Sequence, residues 1–126
     1  MIPSDLRYTT DHEWVRLDGD TATVGITEYA AHELGDVVFV DLPTAGSTVA
    51  QAGAFGVVES VKAVSDLFAP IAGRVVEVNG ALGGQPELVN SDPYGAGWMI
   101  RIAVADRAQF DALLDAAAYE RLTAEG

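Results

Sequence analysis

The residue best placed for covalent chemistry is Lys62, the only lysine in a chain of 126 residues, within VESVKAVSDLFAP at residues 58–70. A lone lysine suits two kinds of chemistry. A Schiff-base lysine needs a buried pocket that lowers its pKa. A carrier lysine needs the reverse, an exposed amine on a rigid scaffold that a ligating enzyme can reach. Residues 57–68 leave open the choice between these and an ordinary solvated lysine on a strand. GVVESVKAVSDLF lacks the Asn-Gly or Asp-Gly that marks a tight hairpin. Only the clustering of Glu59, Ser60, Lys62, Ser65 and Asp66 between apolar ends hints at a turn.

Other constellations are thin. His12 and His32 lack metal-ligand spacing to each other, and His32 reads as a partly exposed helix residue. His12-Glu13-Trp14 is not part of a HExxH motif, because no second histidine follows at the required spacing. Ser60 and Ser65 have no nucleophile-elbow glycines. Gly80, Gly83 and Gly84 are not followed by the Gly-Lys-Ser/Thr of a phosphate loop. With no cysteine, disulfides, thiolate nucleophiles and cysteine-based zinc sites are excluded. The expectation is a protein that does not run chemistry with its own side chains.

Seven basic against 19 acidic residues leave a net charge of −12. That balance opposes nucleic-acid binding, which needs basic surface to displace counterions, and docking on anionic membranes. It serves solubility and can steer the chain toward partners with basic faces. MIPSDLRYTTDHEW has neither a signal-peptide pattern nor an Arg/Ser-rich transit pattern. No apolar run approaches the roughly 20 residues that span a bilayer. A soluble, cytoplasmic bacterial protein is expected, with residues 1–126 forming one domain.

The positioning elements read mainly as β. Val15–Leu17 and Thr21–Ile26 flank Asp18-Gly19-Asp20, a hairpin signal. TEYAAHEL at 27–34 predicts a short helix started by Thr27 and stopped by Gly35. Val37–Leu42 is a β-branched and aromatic strand ended by Pro43. Further short strands are predicted at Phe55–Ser60, Ser65–Phe68, Arg74–Val78 and Trp98–Val104, the punctuation of a small sandwich or barrel. Asp106 with Gln109 resembles a capping box, and Phe110, Leu113 and Leu114 follow at helical spacing, so a helical tail over about 106–124 is expected.

An internal echo adds symmetry. PTAGSTV at Pro43–Val49 matches PIAGRVV at Pro70–Val76, an offset of 27 residues at which Gly53 also meets Gly80 and Gly56 meets Gly83. Two half-motifs that cannot each bury a face alone would pair about a quasi-twofold axis. Lys62 lies between them.

FGVVESVKAVSDLFAPIAGRVVEVN resembles the lipoyl-lysine hairpin of the glycine cleavage system H protein family. The resemblance extends to YTTDHEWV, VGITEYAAHELGDVVFVDLP and LVNSDPYGAGWMIRI, and so covers nearly the whole chain in order. It implies a barrel-sandwich hybrid of the lipoyl/biotinyl-carrier type, with two quasi-symmetric halves presenting Lys62 at a hairpin tip and Glu59 three residues before it. It also implies a monomeric carrier without enzymatic activity, bearing lipoate in amide linkage on Lys62. A lipoate ligase or lipoyltransferase attaches the group. The arm then visits a pyridoxal-phosphate glycine decarboxylase and a tetrahydrofolate-dependent aminomethyltransferase. A dihydrolipoamide dehydrogenase using FAD and NAD completes the cycle. Phe68 and Ala72 depart from residues common in the family, without touching the attachment logic.

The cargo amine is cationic at neutral pH, and Glu13 in the HEW segment and Asp66 beyond the lysine are the candidates to meet it. Ser60 and Ser65 are grouped with them as attachment-motif or arm contacts. Rival readings are a biotin carrier, whose flanking methionines are absent beside Lys62, a lipoyl carrier for 2-oxoacid dehydrogenases or a lipoate relay, and an unmodified adaptor.

Overall fold

Asp18 pairs with Thr21, so strands β2 (Glu13–Asp18) and β3 (Thr21–Ile26) are joined by Gly19-Asp20. Of these two only Gly19 takes a positive φ, 64°, as a turn of the II′ kind requires. The expected hairpin is present, with the connection one residue later than an Asp-Gly turn. β1 (Arg7–Tyr8) extends the pair on its outer side. This computed structural model describes residues 2–125; Met1 and Gly126, the ends of the expected 1–126 domain, lie outside the described residues.

Helix α1 (Glu28–Leu34) starts and stops as its sequence predicts. The Thr27 hydroxyl accepts the Ala30 N–H at 3.2 Å, and Gly35 closes the helix at φ 78°. Then follow β4 (Val37–Asp41), β5 (Thr48–Val49), β6 (Ala54–Ser60), β7 (Val64–Phe68) and β8 (Gly73–Val78). Two single-turn helices, α2 (Ala81–Gly84) and α3 (Leu88–Ser91), precede β9 (Ile100–Val104). β9 starts two residues later than expected, because the Asn79 side chain takes the Trp98 carbonyl at 2.7 Å.

The strands form two antiparallel sheets, one ordered β1-β2-β3-β9-β8-β5 and the other β4-β6-β7. They share one core. Val15, Val24, Val75, Ile100 and Ile102 from the first sheet meet Phe55, Val58 and Leu67 from the second, all buried. The expected mainly β hybrid is therefore a pair of sheets that does not close into a barrel. The echo is realised in part. β4 and β7 stand 27 residues apart and flank β6 on either side, and β5 pairs with β8. Residues 81–87, at the same offset from β6, carry α2 instead of a strand.

The expected continuous helical tail is two helices, α4 (Arg107–Asp111) and α5 (Ala116–Glu125). The interruption has a tertiary cause: Leu114 exchanges both backbone hydrogen bonds with Tyr8, at 2.8 and 3.0 Å. Only half of the capping box forms. Asp106 accepts the Ala108 N–H at 3.0 Å, whereas the Gln109 side chain accepts the Ala72 N–H at 2.8 Å. Helix α5 seals a second apolar cluster in which Tyr119 stacks on Tyr8, ring centroids 4.6 Å apart, beside Leu6 and Trp14.

Gly73 shows how tightly β8 packs. A Cβ built there would sit 2.1 Å from the Ala103 carbonyl oxygen and 2.5 Å from an Ile102 methyl, atoms with no room to retreat. Gly73→Ala is expected to destabilise by about 3 kcal/mol, read as a lower urea midpoint at unchanged slope.

Candidate functional site

Lys62 lies in the three-residue connection Val61–Ala63 between β6 and β7. No residue of this connection takes a positive φ, so glycine is not needed. The Ser60 hydroxyl replaces the usual turn chemistry by accepting the N–H groups of Lys62 (3.3 Å) and Ala63 (3.1 Å), while the Ser60 N–H donates to the Ala63 carbonyl at 2.8 Å. The Val61 N–H donates to the Asp36 carbonyl at 3.0 Å, tying the tip to the α1–β4 connection. Ser60→Ala is expected to speed amide exchange at Lys62 and Ala63 by about fivefold through loss of one shared acceptor worth about 1 kcal/mol. Exchange in β9 should stay as in the unaltered protein.

The Lys62 side chain is exposed. That is the opposite of the enclosure a Schiff-base lysine requires, and the geometry suits acylation by another protein. Val61 and Val64 beside it are 70% and 68% exposed, and Phe39 on β4 is half exposed. Glu59 pairs with both Phe39 and Val64. These three therefore share the face of the β4-β6-β7 sheet opposite Val58, which points into the core.

A second grouping lies in a cleft of about 350 Å³ between α1 and β7, lined by Asp11, His12, Glu13, Tyr29, Glu33, Ser65 and Asp66, among others. Glu13 is only 2% exposed. One carboxyl oxygen accepts from the Thr9 hydroxyl at 2.7 Å and the other from the Phe68 N–H at 3.4 Å. Burial pushes its pKa up to about 7, against the pull of those two hydrogen bonds. The structure thus brings Glu13, Ser65 and Asp66 to one cleft. Ser60 is spent on the turn, and Glu59 does not line the cleft.

Sequence reasoning missed the neighbours of Glu13. His12 holds φ at 69°, a strained conformation for a residue with a Cβ. Its Nδ1 shares a hydrogen bond with the Tyr119 hydroxyl at 2.8 Å, and Tyr119 also bonds the Thr27 hydroxyl at 2.7 Å. Desolvation lowers the His12 pKa. Tyr29 and Glu33 come to the cleft from α1. No local pattern announces any of the three, because their partners lie far along the chain. Among the described residues no group of three or more His, Cys, Asp or Glu side chains could hold a metal ion.

Residues 6–126 match the family described as glycine cleavage H-protein. Among curated relatives, the glycine cleavage system H protein of Symbiobacterium thermophilum is 54% identical over 125 residues, covering 99% of this chain and 98% of that one. That of Magnetococcus marinus is 59% identical over 118 residues, 94% of this chain and 84% of its own. The crystal structure of a glycine cleavage system H protein from Mycobacterium marinum superposes with a TM-score of 0.90 at 43% identity, covering 98% of this chain and 99% of that one.

Proposed function

We infer the function from one fact above all: the chain belongs to the glycine cleavage H-protein family. As a member it is the lipoyl-bearing shuttle of the glycine cleavage system, a carrier component and not an enzyme. We propose that the whole chain acts as one carrier domain and that Lys62 is the attachment point, its ε-amine joined to lipoate as an amide. The observation that carries this is the exposed sole lysine at the tip of a hairpin whose turn amides are all bonded.

The residues present fit such a group. The chain has no cysteine, so dithiol chemistry must come from what it carries. When bound, lipoate supplies the sulfurs that accept the aminomethyl cargo and electrons. Lys62 tethers that chemistry, which makes each transfer effectively intramolecular once a partner has docked. Amide formation also removes the chain's only lysine charge from a net charge of −12. The partners proposed are the pyridoxal-phosphate decarboxylase, the tetrahydrofolate-dependent aminomethyltransferase, the flavin dihydrolipoamide dehydrogenase and a lipoate ligase or lipoyltransferase. An acidic surface suits partners with basic docking faces. No helix among the described residues is long and apolar enough to cross a membrane, which is compatible with the proposed cytoplasmic location.

Glu13 and Asp66 would hold the cationic amine of the cargo in the cleft they both line. Ser65, on the same rim, would contact the arm.

Intact-mass measurement after incubation with lipoate, ATP and a lipoate ligase tests the attachment. One lipoyl increment on the peptide that holds Lys62 is expected. No increment, or a biotinyl increment when biotin and its ligase compete, would overturn it.

A further inference from the structure

We propose that Asn90 is a positioning residue for Lys62: its side chain clasps the α1–β4 connection, and that connection holds the hairpin tip on which acylation takes place. This inference rests on the attachment reading above and adds a residue to it.

Asn90 is the third residue of α3, far from the hairpin in sequence, yet its side chain spends three hydrogen bonds on one short stretch. Its Oδ1 accepts the Val37 N–H at 2.8 Å, and its Nδ2 donates to the Gly35 carbonyl at 2.8 Å and the Ala31 carbonyl at 3.4 Å. That is three of the four bonds an amide side chain can make. The need is local. α1 ends abruptly at Gly35, φ 78°, which leaves carbonyls of the last turn without partners inside the helix. Asn90 takes the Gly35 carbonyl, adds a second donor to the Ala31 carbonyl that already accepts the Gly35 N–H at 3.2 Å, and pins the start of β4 as well.

Between the pinned Gly35 and Val37 lies Asp36, the residue whose carbonyl receives the Val61 N–H. Val37 itself pairs with Ser60, the residue that closes the turn. Gly35 also borders the lysine directly. A Cβ at that position would lie 3.5 Å from Cε of Lys62, ordinary contact distance, so the stem passes directly beside Gly35. The chain of contact is therefore short: Asn90 to Gly35 and Val37, Asp36 to Val61, then Lys62.

An acylating enzyme must meet an amine at the end of a flexible four-carbon stem. How often it does so in productive geometry depends on where the tip sits and which way the stem leaves it. A purely structural Asn90 would lower stability and do nothing else.

The test uses the full-length chain with Asn90→Asp, which keeps an acceptor for Val37 and removes both donors, and Asn90→Ala, which removes all three bonds. Lipoylation kinetics with a lipoate ligase and amide hydrogen exchange are both read. The expected result is a fall in kcat of about tenfold with little change in KM, and faster exchange at the Val61 amide. Exchange at Ile100–Val104 should stay unchanged. Unaltered lipoylation kinetics despite exposure of the Val61 amide would overturn the proposal, as would uniform loss of protection in the hairpin and β9 with normal kcat. If Asn90→Ala does not fold, Asn90→Asp decides. Absence of any increment on the unaltered protein would sink the attachment reading together with the clasp, whereas normal modification of every form would sink the clasp alone.

Discussion

Lys62→Arg is expected to leave the fold intact and abolish the lipoyl increment. The side chain is exposed and its neighbours' amides are bonded to Ser60 and Asp36, so the stability change should stay within about 0.5 kcal/mol. Arginine keeps the positive charge and the approximate length, but its guanidinium is permanently protonated and does not form the amide. No second lysine can substitute. Intact mass and peptide mapping give the first readout, and glycine–bicarbonate exchange with the decarboxylase gives the second. Both should fall to background for the variant. A lipoyl increment that persists, or exchange activity retained without one, would mean that the chain works through some other group.

Glu13→Gln is expected to make the protein more stable and less useful. Glu13 is buried with a pKa of about 7 in the folded protein, against an ordinary value of 4.5. Between those pH values the folded state binds more protons than the unfolded one. Stability from this group therefore falls as pH rises from about 4.5 to 7, and the cost persists in full above 7. A shift of that size corresponds to about 3 kcal/mol at most. Replacing the carboxyl by a neutral amide should recover about 1–2 kcal/mol at pH 8, less than the full cost because one of the two acceptor oxygens is lost. At pH 4, where Glu13 of the parent is protonated, the lost acceptor should leave the variant about 1–2 kcal/mol less stable than the parent. Urea titrations across this range measure the effect. Parallel pH profiles for variant and parent would exclude a desolvated Glu13.

The same substitution bears on the cargo. A cationic amine in the cleft would favour the ionised form of Glu13 and return part of its desolvation cost. The loaded form of the parent should then be longer-lived at pH 8 than that of Glu13→Gln, and Asp66→Asn should shorten it as well. Equal lifetimes for all three would remove the sheltering role. A residue whose replacement stabilises the empty protein and harms the loaded one follows the usual trade between stability and function.

The pH dependence has a second contributor of opposite sign. Desolvation holds the His12 pKa low, so protonating it costs stability as pH falls. Comparing Glu13→Gln with its parent isolates the glutamate, because His12 is present in both.

Much of this molecule is local and legible from its residues. Thr27 and Gly35 bound α1 through their own backbone and hydroxyl chemistry, and Gly19 marks the β2–β3 turn. The absence of cysteine and the thin side-chain constellations pointed to a protein that does not run chemistry with its own side chains, and the resemblance of the quoted segments supplied the carrier reading. The quoted segments identified the family, and the 27-residue echo expected its two half-motifs to pair, as β5 and β8 within them do. What stayed hidden depends on partners distant in sequence. The turn at Lys62 carries no glycine signal, because a serine hydroxyl and the Asp36 carbonyl satisfy its amides. The tail reads as one helix until Leu114 finds Tyr8 across the fold. The burial of Glu13 depends on the packing of β7 and α1 around it, and the role of Asn90 on its meeting Gly35 and Val37, residues far from it in sequence. Periodicity and capping report the free energy of neighbours along the chain. Desolvation and long-range hydrogen bonds exist only once the sheets have packed, and those decided the tip and the cleft.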